Sequence, residues 1–214
     1  GQQQFAAFHG YYQEHCYLPL IVTAQVDDGP QELLVTMLRP GHVDAAAYAV
    51  ALLKRLVPRL RQACPKAQLL FRADGGFARP EIYNWCEDDA NRVDYEINLP
   101  QNSVLRQLAA PHLQAVHALY AETGQWQRRF AEVCYQAKEW PQPRRVLIKA
   151  EVTVKDNGDT RDNPRFVVTN LSAGQAQAIY EHYGDRGEME NRIKELKNQL
   201  QMDRTSCHRF GANQ

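Results

Sequence analysis

Residues 69–76 have the sequence LLFRADGG, an apolar run that ends in Asp74 and two glycines. The run predicts a buried strand over residues 68–73. An aspartate at the carboxyl end of a strand, followed by residues without side chains, can hold a metal ion while a bulky polymer approaches. A plain Asp-Gly turn is the simpler interpretation of the same residues.

The residues upstream of this strand predict a hairpin and a helix. Residues 17–26 (YLPLIVTAQV) and 33–38 are rich in β-branched and apolar side chains, and the turn residues 27–30 (DDGP) separate them. Residues 43–63 have helical spacing, with Asp44 as the expected N-cap and Pro58 as the expected kink or break.

Downstream, Pro80 is well placed to begin a helix that ends near residue 88, and residues 93–99 alternate as in a strand. The order is then strand, strand, helix, strand, helix, strand. This order predicts an α/β fold with a mixed sheet and flanking helices.

The second half predicts a helix over residues 101–120, followed by a block of strands. The strands are expected at residues 133–138, 145–155 and 165–169, with a turn at 156–159 (DNGD). Because this block lies inside an α/β chain, we expect a β-rich insertion rather than a continuation of the first sheet. The expected domain limits are 1–100 for the core, 101–170 for the insertion, 171–204 for the closing helices and 205–214 for a truncated continuation.

Two capping boxes predict two closing helices. Ser172 with Gln175 indicates a helix over residues 173–183, and Asp185 with Glu188 indicates one over residues 186–201.

The second of these helices places one carboxylate between cations. At about 100° per residue, Arg186, Lys194 and Lys197 lie within about 40° of Glu190, beside an apolar stripe. Arg186 and Lys197 are separated by roughly 16 Å along the axis, the scale of several DNA phosphates. A solvated amphipathic helix with i,i+4 ion pairs is the simpler interpretation of this spacing alone.

A second basic segment lies between residues 125 and 149, where aromatic residues are interleaved with cations. Its candidate DNA-binding residues are Arg128, Arg129, Arg144 and Arg145. This composition is typical of a DNA-contacting insertion. It is equally typical of a sheet with an aromatic core and a basic outer face, and both interpretations stay open.

Composition sets broad limits on the protein class. The 214 residues are 44% hydrophobic and 23% charged, with 25 basic and 25 acidic side chains, so net charge gives no sign of nucleic-acid binding. The five widely spaced cysteines argue against a structural zinc site and indicate reduced thiols in a cytoplasmic protein. No apolar run approaches the ~20 residues of a membrane helix, and we expect no membrane partner.

Two motifs resemble a known family. Tyr183, Arg186, Glu190 and Lys197 match the pattern Y-x2-R-x3-E-x6-K, which resembles the signature of the insertion-sequence-4-like superfamily of bacterial DDE transposases. Residues 71–77 (FRADGGF) resemble the second-aspartate motif of its DDE domain group one branch. Similar short stretches extend the resemblance along nearly the whole chain, and it favours the functional interpretation of both motifs.

The resemblance implies a ribonuclease-H-like fold and a phosphoryl-transfer enzyme. Asp74 and Glu190 would be the second and third catalytic, metal-binding acids, holding Mg²⁺ or Mn²⁺, two ions in all. Arg186 and Lys197 would grip DNA phosphates, with Tyr183 beside them, and Lys194 is added from the helical geometry. The implied partners are double-stranded DNA, as transposon ends and target, and a second copy of the chain in a homodimeric, nucleoid-associated DNA complex.

The resemblance also implies a first aspartate on a first core strand upstream of Gly1. We therefore expect an incomplete sheet whose first core strand is missing, and a chain that is inactive and poorly stable by itself. Two alternatives stay open at this point. One is a non-catalytic DNA-binding remnant of a transposase. The other is a repair or resolving nuclease of the same fold, against which the Tyr-Arg-Glu-Lys spacing argues.

Overall fold

The structure is a computed structural model that describes residues 3–10, 13–27, 29–185, 187 and 207–214. Its contacts divide the chain into two compact units. One combines Gly1–Ala47 with Gly187–Gln214, and the other is Tyr48–Arg186. No helix in the described ranges is both long enough and apolar enough to cross a membrane.

The first unit contains two small antiparallel sheets and a short helix. Its elements are β1 (Ala7–His9), β2 (Glu14–Cys16), β3 (Leu20–Ala24), β4 (Glu32–Met37) and the C-terminal helix, called α5 here (Phe210–Asn213). Strands β3 and β4 form the predicted hairpin, with shorter strands than expected and an irregularity between Val22 and Thr23. The ring of Phe210 packs edge-on against Phe5 and Tyr17, so the two ends of the chain meet within this unit.

The second unit is built around a five-stranded sheet with helices on both faces. Its helices are α1 (Ala49–Ala63), α2 (Pro80–Glu87), α3 (Ser103–Thr123) and α4 (Ala176–Gly184). Its strands are β5 (Leu70–Ala73), β6 (Asp94–Leu99), β7 (Arg129–Tyr135), β8 (Arg144–Ala150), β9 (Val152–Val154), β10 (Thr160–Asp162) and β11 (Arg165–Thr169). Strands β9 and β10 form a separate hairpin.

The strand order of the sheet is β5-β6-β11-β8-β7. Strands β5 and β6 are parallel, and the other pairs are antiparallel. The mixed α/β class is confirmed, and most predicted strands occur within a few residues of their expected positions. The single strand predicted over residues 145–155 is instead two strands, β8 and β9, in different sheets, and the strand predicted at residues 133–138 begins already at Arg129.

Alternation along the strands gives the sheet two apolar faces. On one face, Tyr95 of β6 stacks on Tyr83 of α2 with ring centroids 5.3 Å apart, and α3 packs on β7 and β8. On the other face, Leu147 and Val167 form a core cluster with side chains of α4. Helix α4 therefore covers one face of the sheet, and α2 and α3 cover the opposite face.

The expectation that the later strands stand apart from the first sheet is wrong. Strand β11 pairs with β6 from Phe166↔Leu99 to Thr169↔Glu96, so β11, β8 and β7 continue the sheet that β5 and β6 begin. The residue pattern of each strand could not show this pairing, because the pattern is the same whether the partner strand is near or far in the sequence. The domain limits themselves stay a prediction.

Two predicted helix starts are also wrong. Asp44 caps a turn through its bond from Ala46 N (2.8 Å), and α1 begins only after Tyr48, whose φ of 69° is left-handed. Helix α4 begins after Gln175, with no side-chain cap, rather than at the Ser172 capping box. Pro58 lies inside α1 without dividing it. The predicted helix over residues 186–201 lies outside the described residues, apart from residue 187.

Candidate active site

Asp74 lies directly after β5 at the carboxyl end of the strand. Its backbone is extended (φ −79°, ψ 179°), and its Oδ1 accepts a hydrogen bond from Gly76 N at 2.8 Å, which starts a single 3-10 turn over Gly75–Phe77. The side chain is exposed. Within the described part of the chain no hydrogen bond engages Oδ2, so the carboxylate keeps one oxygen for a further ligand.

Gly75 brings the backbone after Asp74 close to the end of the neighbouring strand. A Cβ at this position would lie 2.9 Å from Asn98 Nδ2 and 3.2 Å from Pro100 Cγ. The glycine is therefore required by a close approach, rather than by a left-handed backbone.

Helix α4 is tied to the strand that carries Asp74. The Tyr183 hydroxyl donates a hydrogen bond to the carbonyl oxygen of Ala73 at 3.3 Å, in a buried position. Arg72 Nη1 donates to the carbonyl oxygen of His182 at 2.8 Å. Two successive residues of α4 thus contact the two residues that precede Asp74.

A buried carboxylate completes this connection. Glu96 of β6 is 1% exposed, is paired across the sheet with Arg72 and Thr169, and has both oxygens 3.1 Å from His182 Nδ1. Burial raises the pKa of Glu96, while the hydrogen bond and charge of His182 and the charge of Arg72 act to lower it. Asp185 acts in the raising direction. The pair therefore joins α4 to β6 beside the Asp74 strand.

Sequence reasoning did not identify Glu96 and His182. Residues 93–99 alternate, which predicts one apolar face and one polar, solvated face. The polar face is instead covered by α4, so Glu96 is buried. The only available signal was the position of His182 directly before Tyr183.

Tyr183 is a buried residue of α4. Its side chain is 8% exposed and its hydroxyl donates to the carbonyl oxygen of Ala73, while its predicted place beside the residues that would grip DNA stays a prediction. It acts as a positioning residue within the core. The other signature residues, Arg186, Glu190, Lys194 and Lys197, lie outside the described residues.

Arg144 is buried and cannot contact DNA in this fold. Its guanidinium is 2% exposed and donates to both oxygens of Glu87 at 2.7 Å and to Asn84 Oδ1 at 2.7 Å. It also lies over the rings of Tyr83 and Trp140. The prediction of Arg144 as a DNA-binding residue is wrong, because a charge spacing in sequence does not show which side of a strand faces the core.

The three other predicted arginines differ in exposure. Arg145 is held by Glu132 and by the carbonyl oxygens of Leu171 (2.9 Å) and Gly174 (2.8 Å), so it fastens the segment that leads into α4. The side chain of Arg128 is 68% exposed, with Nε 3.3 Å from Glu151. Arg129 is exposed on the edge strand β7. Of the four, only Arg128 and Arg129 are exposed.

Among the described residues, Asp74 is the one predicted metal ligand. No group of three His, Cys, Asp or Glu side chains able to hold a metal occurs in the part of the chain that the structure describes. Asp74 has the oxygen chemistry that Mg²⁺ prefers, at an exposed strand end next to glycines. A magnesium site is therefore compatible with Asp74 and needs further ligands.

Comparison with known families gives one match that covers the whole sequence. The family described as transposase DDE domain group 1 matches residues 1–214. A search of curated proteins gives no match. Together with an aspartate at the carboxyl end of a strand in a mixed sheet, the match over the full length identifies the family. The chain belongs to the transposase DDE domain family, group 1.

Proposed function

We propose that the chain is the catalytic part of a DNA transposase of the insertion-sequence-4-like superfamily. It cleaves phosphodiester bonds at transposon ends and joins the released 3′ ends to target DNA. Its partner is double-stranded DNA, bound by a homodimer. The single observation that carries the proposal is the position of Asp74, an exposed carboxylate at a strand end in a chain of this family.

We assign the metal ligands to Asp74 and Glu190, which would hold two Mg²⁺ or Mn²⁺ ions together with a further acid. When bound, such ions lower the pKa of a nucleophilic water or hydroxyl and offset the charge of the leaving oxygen. The bond from Gly76 N to Asp74 Oδ1 orients the carboxylate and engages one of its two oxygens.

The residues around Asp74 orient the site. Tyr183 and Arg72 bind α4 to β5, and Glu96 with His182 binds α4 to β6. Helix α4, which these contacts hold, precedes in the sequence the segment that contains Glu190. Arg186, Lys194 and Lys197, with the exposed Arg128 and Arg129, would contact DNA phosphates and steer the duplex towards Asp74.

An excision assay in cells tests this function. The encoding gene is kept in its natural open reading frame and flanking DNA, and excision is detected by amplification across the flanks. We expect excision with the unchanged gene and a loss of more than about 100-fold for Asp74→Asn and for Glu190→Gln. Asp89→Asn, an exposed aspartate on the segment after α2, is the matched control and should keep activity.

Two results would contradict the proposal. Excision that persists in Asp74→Asn would remove this carboxylate from the chemistry. No excision by the unchanged gene, with DNA binding retained by its product, would favour the non-catalytic DNA-binding alternative.

A further inference from the structure

A cluster of three cations surrounds one carboxylate at an edge of the second unit. Glu151 Oε2 lies 2.9 Å from Lys149 Nζ and 3.3 Å from Arg128 Nε, and its Oε1 lies 3.9 Å from Arg165 Nε. We call Arg128, Lys149, Glu151 and Arg165 the Glu151 cluster. Three positive charges and one negative charge leave it with a net charge of +2.

The cluster has a rigid base. Glu151 and Lys149 are only 13% and 15% exposed, and Lys149 Nζ lies 5.5 Å from the centroid of the Tyr180 ring on α4. The Tyr180 ring in turn contacts Phe130 of β7, with centroids 5.6 Å apart. Burial raises the pKa of Tyr180 to about 12, so the ring beneath Lys149 is neutral at physiological pH.

The two arginines of the cluster face solvent. The side chains of Arg128 and Arg165 are 68% and 57% exposed. Their distances to Glu151 are longer than that of Lys149, and exposed pairs of this kind contribute little to stability. Both guanidinium groups therefore keep donors for an external anion, while the Nε atom of each lies near the common Glu151 carboxylate.

The cluster and Asp74 lie at the same end of the five-stranded sheet. Strands β5 and β6 are parallel, so Asp74 lies at the end where β6 reaches Leu99. Leu99 pairs with Phe166, next to Arg165, and Arg165 pairs with Lys149. Lys149 contacts α4, and Arg72 also contacts α4, so both side chains are on the α4 face of the sheet.

Strand spacing sets the scale of this arrangement. The strand of Arg165 is two positions from β5, and β7, which directly follows Arg128, is four, which gives roughly 10 and 19 Å at ~4.8 Å per strand. DNA rises about 3.4 Å per nucleotide on each strand, so the interval corresponds to roughly three to six nucleotides.

We propose that the Glu151 cluster binds the phosphate backbone of double-stranded DNA a few nucleotides from the bond at Asp74. The proposal rests on the proposed function for the identity of the partner. Arginine guanidinium groups match phosphate oxygens in a bidentate fork, and two of them held by a common carboxylate lose less side-chain entropy on binding. Glu151 thus acts as a positioning residue and Arg128 and Arg165 as the phosphate contacts.

A salt titration with the full 214-residue chain tests the proposal. A fluorescein-labelled 30-base-pair duplex is bound without divalent metal, and the affinity is measured by fluorescence anisotropy at several NaCl concentrations. For the double variant Arg128→Ala/Arg165→Ala we expect about tenfold weaker binding near 0.1 M NaCl. The slope of log affinity against log salt should become shallower by about 1.8, because two phosphate contacts at ~0.9 each are lost.

The matched control is Arg55→Ala/Arg59→Ala. It removes the same net charge from exposed positions of α1, which packs on α2, on the side of the sheet opposite α4. We expect an affinity within about threefold of the unchanged chain and an unchanged slope, with circular dichroism showing that both variants are folded.

Each other outcome has a defined meaning. Equal effects of the two double variants would show a response to net charge and overturn the proposal, as would no DNA binding by the unchanged chain. If the double variant Arg128→Ala/Arg165→Ala loses affinity for poly-glutamate but not for DNA, the surface binds an acidic protein, and the proposal is overturned. If DNA binding depends on the Glu151 cluster but excision is unchanged in Asp74→Asn, this inference stands and the proposed function fails.

Discussion

The Tyr183 hydroxyl donates a hydrogen bond to the carbonyl oxygen of Ala73, the residue directly before Asp74. Helix α4 is thereby attached to the last residue of β5, 110 positions away in the chain. Arg72 makes the adjacent attachment through the carbonyl oxygen of His182. Tyr183 of the Y-x2-R-x3-E-x6-K signature is thus connected to Asp74 of the FRADGGF motif through the peptide group that joins Ala73 to Asp74.

We predict that Tyr183→Phe lowers the free energy of unfolding by about 1 kcal/mol, because one buried hydrogen bond is lost while the ring still packs. Urea unfolding followed by circular dichroism measures the change. Tyr180→Phe, on the same helix and equally buried, is the control and should change stability by less than about 0.5 kcal/mol. Equal effects of the two substitutions would show that the Ala73 contact contributes nothing.

We predict that Arg144→Ala is far more damaging than Arg128→Ala. The first leaves the Glu87 carboxylate without its bidentate partner and empties a site between Tyr83 and Trp140, which should cost about 3–5 kcal/mol. The second removes an exposed guanidinium and should cost less than about 1 kcal/mol. Thermal unfolding of both variants gives the comparison, and similar losses would contradict the buried placement of Arg144.

Stability should fall on acidification because of Glu87. Burial acts to raise the pKa of Glu87, but hydrogen bonds from Arg144 and Tyr95 and the Arg144 charge outweigh burial, so the net pKa is lowered. Because the pKa of Glu87 is lower in the folded state, its ionised carboxylate stabilises the fold at pH values above the ordinary glutamate pKa of ~4.3. This contribution is lost as the pH falls through the folded pKa. Urea unfolding from pH 7 to pH 3 should show this loss, and Glu87→Gln should remove that part of the slope.

His182→Ala should produce a pH effect of the opposite sign. The pKa of Glu96 is raised by burial, so its contribution is present at low pH and lost as the pH rises through the folded pKa. Removing His182 takes away a hydrogen bond that lowers the pKa of Glu96, so this pKa rises further in the variant. The free energy of unfolding should therefore fall more steeply with rising pH. Unfolding free energies measured from pH 4 to pH 8 test this. The control Glu96→Gln/His182→Ala should be flatter than His182→Ala, and an equal slope would exclude Glu96 as the cause.

We predict that Gly75→Ala shifts the turn after Asp74. The added Cβ would meet the Asn98 amide and the Pro100 ring, and the ring has little freedom to move. A Gly184→Ala control adds a Cβ with no heavy atom within 4 Å and should be tolerated. Divalent-metal affinity should fall in the first variant only, as measured by titration calorimetry with Mn²⁺. Unchanged affinity in Gly75→Ala would mean that the turn does not set the Asp74 geometry.

Local patterns predicted the elements of this fold better than their partners. The β3–β4 hairpin follows from two β-branched runs separated by turn residues, and the strand before Asp74 follows from an apolar run that ends in Asp-Gly-Gly. The pairing of β11 with β6 does not, because it joins strands about 70 residues apart. Sequence spacing also could not show that Arg144 faces the core, since its burial depends on Glu87 from a distant helix.

The candidate site was predicted only in part for the same reason. Asp74 was identified from the local motif, and its turn geometry agrees with the glycines that follow it. Glu96 was not identified, because only the packing of α4 on the sheet turns a solvated position into a buried one. Whether Glu190 meets Asp74 stays a prediction.

Metal binding by single and double variants tests most directly whether Asp74 and Glu190 share a site. Mn²⁺ affinity is measured by electron paramagnetic resonance for the unchanged chain, Asp74→Asn, Glu190→Gln and the double variant. If both carboxylates hold the same ions, each single variant should lose at least about tenfold in affinity, and the double variant should lose little more than either one. Independent losses that add in the double variant, or no loss in one of the single variants, would contradict a shared site.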